Sequence, residues 1–266
     1  MHNNRRSNIK FKVVLITFLL LIATIAFFLS PIFNIKNIET ASLKKYNSKE
    51  LSQSIESLKG TNGFISVFKS IKGLSSFNRI HDLGMPEEES LLIFNKPYLK
   101  DVRINYKFPN TVVLQAVERT PIFFAEYSGV YLYIDTDGYV VETFSQSEKP
   151  NMPLVKGLKV TSYKIGQPVI MDKADQLEKT IKLCSLMNSM SMLNNNIDII
   201  DVTDYNNIQL FCAPTLKICI GNTDNLGYKL SMLKEIQKNS EYDGNSDGTI
   251  DFTVGKNAVF RPNVSN

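Results

Sequence analysis

The chain is 266 residues long, with 43% hydrophobic residues and a formal net charge of +4. This composition excludes a chain that is disordered throughout, and the length fits two compact units and an additional segment. Four of the 30 basic residues, Arg5, Arg6, Lys10 and Lys12, lie in residues 1–12, which carry no acid. The rest of the chain therefore has 26 basic and 26 acidic residues, so we expect no nucleic-acid partner.

An apolar segment follows the basic residues. Residues 13–29 are apolar except for two threonines, and the segment 13–33 has 21 residues, close to the roughly 20 that cross a bilayer as a helix. The four positive charges precede it, and Lys36 is the only basic residue in the next seven positions. The positive-inside rule therefore predicts a cytoplasmic arm at 1–12, a transmembrane helix at 13–33 and an extracytoplasmic C-terminal part.

The competing interpretation of this segment is a cleaved signal peptide. Signal peptides have an apolar core of about 7–15 residues and a cleavage site with small residues. The apolar run here is longer, and Phe-Leu-Ser-Pro-Ile at 28–32 is a poor cleavage site. We therefore favour a single-pass anchor in the cell membrane.

The segment 34–119 is predicted to form a small α+β module. Residues 33–39 alternate apolar and polar, as in a half-buried strand. Ser48 is placed to cap a helix that Gly60 ends. The module therefore begins with a strand and a helix.

A hairpin is predicted to close this module. Residues 99–107 and 111–118 alternate apolar and polar on either side of a Phe-Pro-Asn turn sequence. The predicted order is thus strand, helix, strand, strand. The stretch at about 70–90, which contains the acidic sequence Pro-Glu-Glu-Glu, is interpreted as a solvated insertion of unassigned role.

The segment 120–262 is predicted to form a larger mixed domain with an antiparallel sheet and two helices. Apolar residues at helical spacing predict the helices, one at 172–194 and one from Leu226 to Ile236. Strands are expected at 131–134, 139–142, 197–202, 208–212, 216–220, 249–254 and 257–261. Residues 263–266 are assigned to a short tail.

Several short sequences, in this order, resemble the FtsQ/DivIB family of bacterial cell division proteins. In the first module they are Phe33-x-Ile35-x-x-Ile38-Glu39, Pro97–Val102, Phe108–Thr111 and Val117–Pro121. In the second module they are Leu132–Val140, Pro153–Gly157 and Gly248–Phe252. The resemblance covers nearly the whole chain and implies a POTRA domain at 34–119 and the family's β domain at 120–262. The insertion and the short tail depart from the family.

The resemblance also implies a function. Family members act as scaffolds at the division septum, where they join the single-pass proteins DivIC (FtsB) and FtsL and help to control septal peptidoglycan synthesis. The alternative is a POTRA-containing receptor for envelope translocation or outer-membrane assembly. Such receptors usually carry several POTRA copies before a pore, and this chain shows one copy.

The sequence contains no recognisable catalytic or cofactor-binding motif. Only His2 and His81 are available, which is too little for a histidine-based triad or a zinc site. Ser-x-x-Lys occurs at Ser42, Ser66 and Ser231, but the accompanying Ser-Asp-Asn and Lys-Thr-Gly are missing. We predict no enzyme activity, no catalytic residues and no cofactor.

Residues 243–251 match part of an EF-hand calcium loop. The last loop position requires a bidentate glutamate and is Val254 here, and the segment that follows is predicted as a strand and not as a helix. We predict no metal site. Asp135 and Asp137 are interpreted as turn residues.

The three cysteines would face an oxidising exterior, and their number is odd. Cys184 lies on the apolar stripe of a predicted helix and is expected to be buried. Cys212 and Cys219 flank a tight turn, but their apolar neighbours direct the two sulfurs to opposite faces of the sheet. We favour free thiols, with a disulfide as the alternative.

The final predicted strand, at 257–261, is expected to end the sheet of the second module, because the strands are interpreted as antiparallel neighbours in chain order. An uncovered edge strand exposes unpaired backbone groups and invites a partner to add a strand. The resemblance points to the same edge for DivIC-type partners. The candidate partner-binding residues are Phe252, Val254, Ala258, Val259, Phe260 and Arg261, with a core role favoured for Phe252.

Overall fold

The structure is a computed structural model that describes residues 3–71, 78–145, 151–193, 197–212, 215–238, 247–255 and 257–262. Side chains are described from Phe11 onward. The chain divides into two compact units, Met1–Glu118 and Arg119–Asn266. Both units combine helices with a sheet, which confirms the predicted α+β class.

The first element is a long apolar helix, α1, at Asn3–Phe28. Within the described residues, one segment is long and apolar enough to cross a membrane, Phe11–Phe33, and α1 forms most of it. Every side chain from Phe11 to Leu29 is exposed, as expected for a helix that lipid surrounds. The N-terminal part of the chain is therefore that of a single-pass membrane protein.

The apolar segment runs to the predicted Phe33, but its regular α-helix ends earlier. It ends at Phe28 and not at Phe33, because Pro31 has no N–H to continue the helical hydrogen bonds. Pro31–Phe33 instead form one 3₁₀ turn, and the side chain of Phe33 is buried within the first unit. The folded part of the first unit therefore begins before residue 34.

The first unit contains a three-stranded sheet formed by β1 (Asn37–Thr40), β2 (Leu99–Lys107) and β3 (Thr111–Glu118). The strand order is β1-β3-β2, with β1 parallel and β2 antiparallel to β3. The hairpin is confirmed. The first strand begins at Asn37 and not at the predicted 33. Phe33 belongs to the 3₁₀ turn, and the N–H groups of Ile35 and Lys36 donate to the carbonyls of Thr61 and Asn110.

Three helices pack on this sheet: α2 (Ser48–Ser54), α3 (Gly63–Ser70) and α4 (Pro86–Asn95). The N-cap of α2 is Asn47, whose Oδ1 accepts a hydrogen bond from the N–H of Glu50 at 2.8 Å, and not the predicted Ser48. The core beneath the helices includes Ile35, Leu51, Val67, Leu92, Ile104 and Leu114.

The interpretation of residues 70–90 as a solvated insertion is wrong for their described C-terminal part. Pro86 begins α4, and the three glutamates that follow it lie in the first turn, where the helix dipole favours negative charge. Glu89 is buried, pairs with Arg79 and accepts a hydrogen bond from the N–H of Ile104 at 2.8 Å. The acidic sequence was therefore a helix start.

The second unit contains a larger sheet, formed by nine of its described strands. They are β4 (Pro121–Tyr127), β5 (Val130–Asp135), β6 (Val140–Phe144), β7 (Leu154–Lys156), β10 (Ile197–Asp201), β11 (Ile208–Cys212), β12 (Leu216–Gly221), β13 (Gly248–Asp251) and β14 (Val259–Pro262). The order is β14-β13-β12-β11-β10-β7-β4-β5-β6. A separate pair joins β8 (Val160–Ser162) to β9 (Ile170–Met171).

This sheet is mixed and does not follow chain order, so the prediction of an antiparallel sheet is wrong. The pairs β4–β7, β7–β10 and β12–β13 are parallel. A parallel pair needs a crossover connection. The helices α5 (Ala174–Ser189) and α6 (Leu226–Lys238) lie in such connections, between β7 and β10 and between β12 and β13.

A buried ion pair holds the turn that leads into β6. The Arg119 guanidinium lies 2.8 Å from Asp135 Oδ2, 3.2 Å from Asp137 Oδ2 and 3.6 Å from the ring centre of Tyr139. Asp135 Oδ1 accepts hydrogen bonds from the N–H groups of Asp137 and Tyr139 at 2.9 and 2.8 Å. Gly138 in this turn has a φ of +78°, which favours glycine. The prediction that both aspartates are turn residues is confirmed.

Candidate partner-binding edge

The last described strand, β14, lies at one end of the nine-stranded sheet. It pairs antiparallel with β13, so that Val259 lies opposite Asp251 and Phe260 opposite Ile250. The strand begins at Val259 and ends at Pro262, whereas the sequence predicted 257–261. Proline cannot donate to a ladder and is confined to edges and strand ends, so Pro262 suits this position.

The two faces of β14 differ in what they contact. Phe260 shares a face with Ile250, which lies opposite Ile218 and is fully buried in the core. Phe260 itself is 48% exposed, although it faces the same way. Within the described residues, no strand or loop pairs with the outer side of β14, and all four of its residues are exposed.

Gly248 allows the ring of Phe260 to lie against the sheet. A Cβ atom at this glycine would lie 2.7 Å from the Phe260 ring and 2.6 Å from the carbonyl oxygen of Arg261. An aromatic ring laid over a glycine shields the backbone near a sheet edge. This pair was not predicted from the sequence, although a glycine two residues before Ile250, at the start of the strand, is a signal for a close approach.

Asp251 lies on the face opposite to Ile250, and neighbouring residues already contact both of its carboxylate oxygens. Its Oδ1 accepts hydrogen bonds from the N–H and the hydroxyl of Thr253 at 2.8 and 2.6 Å, and its Oδ2 lies 3.5 Å from the Arg261 guanidinium. The Thr253 hydroxyl, together with the Thr253 N–H and the Arg261 charge, holds the pKa of the Asp251 carboxyl below its usual range. These contacts tie Asp251 to the local fold. Residues 243–246 of the partial calcium-loop match lie outside the described residues.

Two of the cysteines, Cys212 and Cys219, lie on opposite faces of the nine-stranded sheet. Cys212 pairs with Leu216 on the buried face, whereas Cys219 pairs with Gln209 and Asp251 on the opposite face. The prediction that their sulfurs point to opposite sides of the sheet is confirmed. Burial raises the pKa of Cys212 to about 12, and Cys184 is fully buried on α5.

The structure separates the candidate partner-binding residues into two groups. Phe252 is buried in the core of the second unit, and its N–H donates to the carbonyl of Cys219 at 2.9 Å. It is therefore a core residue and not part of the edge. Ala258 is half buried and packs against the same core. The exposed candidates are Val254, Val259, Phe260 and Arg261.

The other end of the same sheet, β6, is partly covered by the chain itself. The N–H of Val140 donates to the carbonyl of Gln167 at 3.0 Å, and the N–H of Gly166 donates to the carbonyl of Val140 at 2.7 Å. The N–H of Val169 reaches the carbonyl of Gly138 at 2.9 Å. These bonds occupy the outer backbone groups where β6 begins, so the two edges of the sheet are not equivalent.

Comparison with known proteins finds relatives that are named as cell division proteins. The cell division protein DivIB of Clostridium tetani is 27% identical over 250 residues, which cover 94% of this chain and 85% of that protein. DivIB of Clostridium acetobutylicum is 27% identical over 203 residues, which cover 76% of this chain and 72% of the relative. The cell division protein FtsQ of Zymomonas mobilis is 30% identical over 60 residues, 23% of this chain and 19% of that protein. No family model matches the chain.

Proposed function

Because the chain belongs to the FtsQ/DivIB family of cell division proteins, we propose that it is a non-enzymatic scaffold of the division machinery. It binds other single-pass division proteins of the DivIC (FtsB) and FtsL type outside the membrane and thereby helps to control septal peptidoglycan synthesis. Its relatives are named as cell division proteins and not as enzymes. Residues 34–119 act as the POTRA domain and residues 120–262 as the β domain.

The observation that carries this proposal is the open edge of the nine-stranded sheet. The exposed strand Val259–Pro262 offers backbone N–H and C=O groups to a partner that adds a further strand. Phe260 and Val259 supply apolar contacts on the two faces, and Arg261 supplies a positive charge for an acidic partner residue. Main-chain pairing gives affinity in such complexes, and the alternate side chains give specificity.

The orientation follows from charge. The four basic residues of the arm 1–12 keep the N-terminus in the cytoplasm, so that both folded units lie outside the membrane. Protease added to intact protoplasts should digest the chain beyond residue 34. Protection of the folded units would overturn this orientation.

The location of the protein in dividing cells tests the proposed function. A fluorescent protein joined to the N-terminus should accumulate at midcell as the septum forms, because a division scaffold acts there. An even distribution over the whole envelope would contradict the proposal and favour a general translocation or assembly receptor. A fusion with the same α1 but without residues 34–266 is the control, since the anchor alone should not concentrate at the septum.

A further inference from the structure

Aromatic side chains surround the point where α1 meets the rest of the first unit. The ring centre of Phe64, in α3, lies 4.8 Å from that of Phe28 at the end of α1 and 5.2 Å from that of Phe33. Phe64 also lies 5.1 Å from Phe108 and 5.5 Å from Tyr106. The end of the membrane helix is thus packed onto the folded unit through a continuous aromatic cluster.

Asn62 fixes this junction by hydrogen bonds. Its Nδ2 donates to the carbonyl of Phe28 at 2.9 Å, which satisfies one of the carbonyls left unpaired at the end of α1. Its Oδ1 accepts from the N–H groups of Phe64 and Ile65 at 3.1 and 3.3 Å and so caps α3. One side chain therefore binds the last turn of α1 to the first turn of α3, and the two helices hold a defined geometry.

Large apolar side chains near this junction are exposed. Phe68 is 65% exposed and lies one turn after Phe64 on α3, next to the exposed Ile65. Phe108, at the turn between β2 and β3, is 54% exposed and contacts the same cluster. Leu29 and Ile32, between the end of α1 and the first strand, are exposed as well. We define these five residues as the membrane-proximal face.

Positive charge accompanies this face. Lys69 follows Phe68 on α3, a helix whose sequence contains no acidic residue. Lys107 precedes Phe108, and its Nζ lies 3.6 Å from the Glu39 carboxylate in an exposed ion pair. The N–H of Lys36 donates to the carbonyl of Asn110 in the same turn. All three lysines are exposed. Long basic side chains place their stems along apolar surface and their charges near lipid headgroups.

We propose that the membrane-proximal face is a lipid-binding surface that seats the first unit in the bilayer interface. The inference rests on α1 spanning the membrane, as the proposed function also does. Because Phe64 contacts Phe28 at the end of α1, the apolar face adjoins the apolar surface of the helix that lipid covers. Apolar faces of this kind enter the boundary between headgroups and acyl chains by roughly 5–10 Å.

Lipid is the occupant that this continuity favours, since a protein partner would have to compete with the bilayer for the same apolar surface. Phenylalanine and leucine are typical of the apolar faces that enter the membrane interface, and basic residues add attraction to anionic lipids. The consequence is a first unit that lies against the leaflet from which α1 emerges and does not tumble on a free linker.

The chain lacks tryptophan, so a single introduced indole reports on one position. The full chain carrying Phe68→Trp is reconstituted in vesicles of phosphatidylcholine and phosphatidylglycerol, with and without bromine on the acyl chains. We expect a blue-shifted emission and a loss of intensity with the brominated lipids. The matched control is Phe94→Trp on α4. Phe94 is 68% exposed and lies just before the start of β2, whereas Phe108 follows the end of that strand.

A second control separates the inference from its premise. Phe18→Trp in the middle of α1 should be quenched strongly, because that position lies in the hydrocarbon if α1 spans the membrane. If Phe18→Trp is quenched but the emission of Phe68→Trp is unquenched and typical of an indole in water, the lipid-binding surface alone is overturned. Equal quenching of Phe68→Trp and Phe94→Trp would also overturn it, since adsorption would then be unspecific. An unquenched Phe18→Trp would overturn the membrane span and the proposed function with it.

Discussion

At one end of the nine-stranded sheet, the first residues of β6 hydrogen-bond to residues 166–169, whereas at the other end β14 has no described segment beside it. The turn before β6 is held by the buried pair of Arg119 and Asp135, whereas the ion pair at β14 joins an exposed arginine, Arg261, to Asp251. Natural sheets protect their edges against unwanted pairing. In the described part of the chain, the start of β6 is therefore occupied, whereas the outer side of β14 is available to the partner that we propose.

The largest expected difference between the edges concerns their arginines. Arg119→Ala leaves the carboxylate of Asp135 buried without its partner, so we expect a loss of about 3–5 kcal/mol in the free energy of unfolding. Arg261→Ala removes an exposed arginine that lies 3.5 Å from Asp251, whose carboxylate keeps its hydrogen bonds to Thr253, and should cost about 0–1 kcal/mol. Urea unfolding of the detergent-solubilised chain, followed by near-ultraviolet circular dichroism, measures both. Equal losses would show that the two edges are held alike.

A second prediction uses the glycine beneath Phe260. Gly248→Ala places a Cβ atom 2.6 Å from the carbonyl oxygen of Arg261, so β14 must shift, at a cost of about 1–3 kcal/mol. Hydrogen exchange at the amides of Val259–Arg261 should accelerate. The control is Gly227→Ala in α6, where nothing lies within 4 Å of the new atom and a stabilisation of up to about 1 kcal/mol is expected. Unchanged exchange in Gly248→Ala would contradict the packing described here.

The smallest effect concerns pH. The pKa of Asp251 is depressed in the folded chain from an ordinary value of 3.8, first by the Thr253 hydroxyl. Its contribution to stability is therefore complete above that ordinary value and is lost as the pH falls through the folded-state pKa. Asp251→Asn should flatten the acid limb of a plot of melting temperature against pH and leave the neutral limb parallel to that of the unchanged protein. An acid limb of unchanged slope would show that the Asp251 contacts do not form.

Part of this fold could be predicted from the sequence because its signals are local. The hairpin of β2 and β3 follows from period-two alternation around Phe-Pro-Asn, and the opposite faces of Cys212 and Cys219 follow from the same alternation. The start of α4 was missed because the glutamates after Pro86 were interpreted as a solvated loop, although acidic residues also favour the first turn of a helix.

Strand order could not be predicted in the same way. The last strand was predicted at an edge on the assumption of antiparallel neighbours in chain order. Instead, β7 lies between β4 and β10, and β13 runs parallel to β12. Parallel pairs join residues that are distant in sequence, so no local pattern specifies them. The edge position of β14 was therefore correct, while the reason given for it was wrong.

Photo-crosslinking at the two edges tests the central claim most directly. A photoreactive phenylalanine analogue replaces Phe260 in β14 or Thr143 in β6 of the full chain, and dividing cells are irradiated. We expect position 260 to crosslink to a single-pass division protein of the DivIC type and position 143 not to crosslink to it. Crosslinking of that partner at position 143, with none at position 260, would contradict it.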